Sequence, residues 1–138
     1  MSAKSPVKML NRSLPALIVD DSRVMCEIMC KILKQVGFGQ VEYTTEALEA
    51  LSRLKAKRYG LLLTDLQMNP ISGIDLIRLI WADSEIPAIP TIVTSADRVD
   101  IARTLIDAER EMADAYVLKP FTAETLHRKL SEVFGEEG

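Results

Sequence analysis

The chain is poor in the residues that build zinc sites and disulfide frameworks, with two cysteines and one histidine in 138 residues. Cys26 and Cys30 stand four apart in a stretch of helical periodicity, where neighbours on one helix face are badly placed for a disulfide. No further Cys or His ligands lie close by, so both read as buried free thiols. An excess of basic residues is also missing. Seventeen lysines and arginines against twenty acids leave a net charge of −3, and no nucleic-acid contact is expected. No apolar run approaches the roughly 20 residues of a membrane span, and no signal-peptide pattern opens the sequence. A cytoplasmic location without membrane attachment is therefore expected. Internal repeats and low-complexity segments are absent too. What is present, 48% hydrophobic and 27% charged residues, suits one ordinary globular domain.

Residues 1–13 are mixed, mildly basic and without a sustained period, and read as a flexible N-terminal arm ahead of a domain spanning 14–138. Regular patterning then begins. Leu17, Ile18 and Val19 form a first apolar run ending at Asp20 and Asp21. Val24, Met25, Ile28, Met29, Ile32, Leu33 and Val36 recur at helical spacing, with Ser22 placed to cap and Gly37 to stop the helix. Val41 to Thr44 reads as a second strand, and Glu46 to Lys57 as a second helix with Ala47, Leu48, Ala50, Leu51 and Leu54 inward. Leu61 to Thr64 is a third strand ending at Asp65. A nearly all-apolar helix follows Gly73, and Trp81 at its end reads as a packing residue. Thr91 to Thr94 is β-branched and apolar, as a buried parallel strand should be. Asp97 to about Glu111 is a fourth helix, Ala115 to Leu118 a last strand, and Thr122 caps a final helix with Leu126, Leu130 and Val133 inward. Five alternating strand–helix units in one small domain imply an α/β fold with a doubly wound parallel sheet.

In such a sheet ligands sit at the carboxyl edge of the strands. The strand ends here supply Asp20 and Asp21, Asp65, Thr94 or Ser95, and Lys119. Three acids at one edge repel one another unless a cation neutralises them or a proton is held at neutral pH. Carboxylates and a backbone carbonyl suit Mg²⁺, which keeps several waters and substrate oxygens in its shell. A carboxylate beside the metal can attack phosphorus, while a lysine and a hydroxyl supply charge and a hydrogen bond to the phosphoryl oxygens. His127 falls among Arg128 and Lys129 in the last helix and reads as a solvated residue. Met25 and Met29 continue an apolar stripe and read as core.

The segments IVDDSRVM (18–25), LLLTDLQMNPISGIDLI (61–77), TIVTSAD (91–97) and AYVLKPF (115–121) together resemble the receiver domain of two-component response regulators, particularly the single-domain chemotaxis type. The resemblance runs from about Leu14 to Phe134. It implies a flavodoxin-like, five-stranded parallel sheet of order 2-1-3-4-5 flanked by five helices. It also implies that Asp65 is the phosphoacceptor, that Asp21 ligates Mg²⁺ directly and Asp20 largely through water, and that the Gln67 carbonyl completes the protein's share of the shell. Lys119 would bind the phosphoryl group, with a cis Lys119–Pro120 peptide aiming it. Ser95 is the preferred switch hydroxyl, since its distances from Gly73 and Pro90 fit the family pattern; Thr94 is the alternative. Tyr116 matches the aromatic ring that follows the hydroxyl inward. The sequence departs from the family in three places. The proline after the phosphoacceptor stands one position late, in Met68-Asn69-Pro70. Gln67 and Asp97 occupy positions that tune access of the hydrolytic water. The stretch from Ser95 to Lys119 is about two residues longer than in the compact chemotaxis type.

The resemblance implies a signalling switch whose chemistry is its own phosphorylation and dephosphorylation, so that it is no enzyme acting on other substrates. Its partners would be a histidine kinase or phosphotransfer protein, as donor, and a downstream target protein. With only Gly135 to Gly138 after Phe134, output is expected by docking or by passing the phosphate onward. A receiver-like scaffold without phosphoryl transfer is the alternative. An aspartyl phosphatase would need a second acid where Gln67 stands.

Overall fold

Strands β1 (Ala16–Val19), β2 (Val41–Thr44), β3 (Leu61–Asp65), β4 (Thr91–Ser95) and β5 (Ala115–Leu118) alternate with helices α1 (Arg23–Gln35), α2 (Ala47–Ala56), α3 (Gly73–Ala82), α4 (Arg98–Ile106) and α5 (Ala123–Phe134). The structure is a computed structural model and describes residues 9–106 and 112–135. The sheet is parallel throughout, in the order β2-β1-β3-β4-β5. Every residue of β1, β3 and β4 is buried. Their near-continuous apolar runs are what a strand covered on both faces requires.

Alternation of side chains sorts these runs onto two faces. Ala16, Ile18, Leu61, Leu63, Ile92, Ala115 and Val117 pack with Cys26, Met29 and Leu33 of α1 and with Leu126, Leu130 and Phe134 of α5. Leu17, Val19 and Leu62 pack with Ala47, Ala50 and Leu54 of α2 and with Leu76 and Ile80 of α3. A smaller cluster on this second side joins Val93 to Leu66, Ile74, Ile77 and Ala113. Trp81 packs against both clusters of that side. The chain leaves β1 toward β2 on one side and returns to β3 on the other, opening a crevice beyond the carboxyl ends of β1 and β3.

Three helices begin on hydroxyl caps, two of them, Ser22 and Thr122, as the sequence predicts. Ser22, Ser72 and Thr122 accept from the backbone N–H of Met25, Asp75 and Thr125. Gly37, at φ 109°, takes the chain out of α1 in a conformation that side chains resist.

Other expectations are corrected. Val24 and Ile28 do not join the buried stripe of α1 but are 68% and 46% exposed, and Leu48 of α2 is 59% exposed rather than inward. The apolar arc of each helix is wider than the stripe its sheet face covers. Of the two thiols, Cys26 is buried and Cys30 only half-buried, and both are free. Phe134, which closes α5 against the first face, is buried. The fourth helix is described to Ile106, and its expected continuation to Glu111 lies outside the described residues. Within the expected arm Leu10 joins the first face and Arg12 Nε donates to Val36 O at 2.7 Å, while residues 1–8 lie outside the described residues. Among the described residues no helix is long and apolar enough to cross a membrane.

Candidate functional site

Pairing of β1 with β3 sets Val19 beside Thr64, so the residues that follow, Asp20 and Asp65, leave the sheet as lateral neighbours. One carboxylate oxygen from each of Asp20, Asp21 and Asp65 lies within 4.8 Å of the others. Asp20 and Asp65 are buried and Asp21 is exposed at the mouth. Lys119 reaches the same point from the end of β5. Its Nζ stands 2.7 Å from Asp20 Oδ2 and 3.3 Å from Asp65 Oδ1. The Lys119 N–H also donates to Ser95 O at 2.7 Å, tying the root of this side chain to β4. The Lys119–Pro120 peptide is cis, and so is Asn69–Pro70.

Asp20 is held on three sides. Lys119 bonds one oxygen, the Ser22 N–H donates to the other at 2.9 Å, and Cys26 Sγ donates to the Asp20 main-chain carbonyl at 3.2 Å. Sequence pattern alone assigned Cys26 no role beyond packing. Asp65 is held less completely: its Oδ1 is buried without a hydrogen bond. Burial and the neighbouring Asp20 charge push the Asp65 carboxyl above its ordinary pKa, against the opposing pull of Lys119. For Lys119 burial works against the charge, yet the hydrogen bond to Asp20 and the Asp65 charge prevail and its pKa is raised. Burial and Asp20 push the Cys26 thiol up to about 12, which leaves it an inert hydrogen-bond donor.

Three carboxylates facing one ammonium leave two negative charges without a counter-ion when all are ionised. The donors are hard oxygens, one of them buried without a hydrogen bond, and this set fits Mg²⁺.

The two hydroxyls at the end of β4 part company. Thr94 is paired in register with Asp65 and so shares its face; it is fully buried, and its Oγ1 donates to Thr64 O at a long 3.5 Å. Ser95 belongs to the opposite face, where Val93 and Tyr116 pair in register and Tyr116 is half-buried. Ser95 Oγ accepts from Asp97 N–H at 3.0 Å and donates to Gln67 Oε1 at 3.2 Å. Asp97 in turn accepts from Val99 N–H at the entry to α4. Gln67 is exposed, two residues past Asp65. The structure thus brings Asp20, Asp21, Asp65 and Lys119 together, and places Ser95, Gln67 and Tyr116 along the adjoining rim. His127 is half-buried in α5, among none of these contacts.

Gly73 has a role that its position in the sequence only hinted at. A Cβ there would lie 2.1 Å from Asp65 O, and the Gly73 N–H donates to Leu66 O. Only glycine lets α3 begin this close to the strand that presents Asp65.

Residues 16–131 match the response regulator receiver domain. The chain is 34% identical over 125 residues to a chemotaxis protein, CheY-3, of Vibrio cholerae, covering 91% of this chain and 95% of that one. It is 32% identical over 118 residues to the chemotaxis protein CheY of Pseudomonas aeruginosa, covering 86% and 94%. Among solved structures, a response regulator receiver protein from Pseudomonas putida is 34% identical with a TM-score of 0.71, covering 87% of this chain and 97% of that one. The receiver domain of a sensor histidine kinase from Pseudomonas aeruginosa, with a magnesium ion coordinated in its active site cleft, shares the fold at a TM-score of 0.75 and 22% identity, covering 90% and 99%.

Proposed function

Because the chain belongs to the response regulator receiver domain family, we propose that it is a phosphorylation-dependent signalling switch in which Asp65 accepts a phosphoryl group from a histidine kinase or phosphotransfer protein. The observation that supports this most is the state of Asp65: buried, short of a hydrogen bond on Oδ1, and 3.3 Å from the Lys119 ammonium. Asp21, Asp20 and the Gln67 carbonyl would hold Mg²⁺ beside it. Bound there, the ion neutralises the clustered acids and draws charge from the phosphoryl oxygens.

In the transfer, a carboxylate oxygen of Asp65 attacks phosphorus. The new O–P bond forms as the N–P bond of the donor phosphohistidine breaks, its electron pair returning to the imidazole nitrogen. Lys119 is already within reach and pairs with a phosphoryl oxygen. Ser95 Oγ donates to another, and Tyr116, on the same sheet face as Ser95, follows it inward. The added charge of about −2 is what these groups answer. A downstream target protein that binds the inward arrangement more tightly then reads the phosphorylation.

The test is direct. Incubation with acetyl phosphate and Mg²⁺ adds the mass of one phosphoryl group, located at Asp65, and the Asp65→Asn variant gains none. Absence of the added mass from the wild-type chain overturns the proposal in favour of a phosphorylation-independent scaffold.

A further inference from the structure

Gln67 meets this edge with its side chain as well as its main chain. Ser95 Oγ donates to Gln67 Oε1 at 3.2 Å and lies 3.3 Å from Asp97 O, while the Asp97 N–H donates to it at 3.0 Å. A serine hydroxyl has one proton to give. While that proton is spent on Gln67 it is withheld from any oxygen on Asp65. The two acceptors differ in kind: Asp97 is two residues away on the same turn, whereas Gln67 belongs to the loop leaving β3. Its amide therefore ties that loop to the end of β4. The Gln67 side chain also borders a groove of about 410 Å³ between α3 and α4, lined with Leu66, Ile74, Arg78, Arg103 and Thr104. A released amide has room to swing clear.

We propose that Gln67 is a positioning residue whose side-chain amide holds the Ser95 hydroxyl away from Asp65 in the unphosphorylated protein, and so sets how readily the switch closes. The inference rests on the proposed function, with Ser95 as the switch hydroxyl. Formation of the inward state exchanges the Ser95–Gln67 hydrogen bond for one to the phosphoryl group, so part of that gain is offset by the bond given up.

The test uses the full chain and beryllofluoride with Mg²⁺ as a non-covalent phosphoryl analogue. Gln67→Met keeps the length of the side chain and removes its acceptor, and Gln67→Glu keeps an acceptor at the same reach. Gln67→Met is expected to bind beryllofluoride two- to tenfold more tightly than wild type. Without the analogue, its Ser95, Asp97 and Tyr116 amide resonances move toward those of the analogue-bound wild type, while those of Gln67→Glu stay near the resting positions. In a Ser95→Ala background the same Gln67→Met change alters the affinity less than twofold. Equal tightening with and without the Ser95 hydroxyl overturns the proposal, as do unmoved resonances in Gln67→Met. Should the wild type take no phosphoryl group at Asp65, the functional reading fails by itself; the hold on Ser95 then stands or falls on the resonances alone.

Discussion

At the residue scale, Lys119 decides the electrostatics of the edge. Its ammonium is the one cation within 4 Å of the Asp20 and Asp65 carboxylates among the described residues. Breaking a buried pair by deleting one partner leaves the other charge uncompensated, at a cost of about 3 kcal/mol. Lys119→Met is expected to lose stability on that order at neutral pH, and the loss depends on pH. Asp65 already holds its proton to higher pH than in the unfolded chain. Removing the ammonium raises that value further. The folded variant then binds protons which the unfolded chain has released, so its stability falls as pH rises from about 4 through the raised folded value. Urea midpoints at pH 4.5 and 8 check this: the gap between variant and wild type widens at pH 8. A gap that is equal at the two values contradicts it.

Residues also show where the sequence was sufficient. Asp20, Asp21, Asp65 and Lys119 were legible because each ends a strand-like run, and strand ends of a parallel sheet converge. Ser95 was preferred to Thr94 only through its spacing from Gly73 and Pro90 in the family pattern; local periodicity puts both at the end of one strand. Adjacent residues of a strand point to opposite faces, and which face holds Asp65 follows from the pairing of β3 with β4.

At the scale of elements, the approach of α3 to β3 is the tightest constraint on the site. Asp65 O occupies the space that a Cβ at Gly73 would need. Gly73→Ala is expected to cost about 2–3 kcal/mol, because the backbone rather than a flexible side chain must yield. The same shift displaces Asp65, so Mg²⁺ affinity falls along with stability. Urea denaturation and calorimetric titration with Mg²⁺ measure the two. A variant that loses stability and keeps wild-type metal affinity shows that the strand end is unmoved. The helices also show the limit of periodicity. Their apolar arcs were readable, but Val24, Ile28 and Leu48 lie on the outer margin of arcs whose centres alone meet the sheet.

For the molecule as a whole, three proton-holding groups act in the same direction. The Cys26 thiol is pushed up to about 12 by burial and Asp20. Tyr59, buried and hydrogen-bonded to Glu42, is raised as well, and so is Lys119 through Asp20 and Asp65. Each keeps its proton longer in the folded chain than in the unfolded one. The stability they support is complete below about pH 9 and is lost as pH rises through their folded values. The urea midpoint is therefore expected to fall steadily from pH 9 toward 12, and Cys26→Ala to fall less steeply. An unchanged slope in that variant shows that the thiol is not one of the groups responsible.

The sequence by itself determined the five strand–helix units, because buried parallel strands and amphipathic helices write different periods, and it determined which residue types stand at the strand ends. Only the tertiary structure decided how those ends meet. The pairing of β1 with β3 makes neighbours of Asp20 and Asp65, which lie 45 positions apart in the chain. The pairing of β4 with β3 and with β5 draws Lys119 onto them and sets Gln67 against Ser95, while Asp65 Oδ1 is left without a hydrogen bond. A strand's pattern says that it is buried and where it ends. Which strand lies beside it is fixed by contacts between distant residues, which no local period records.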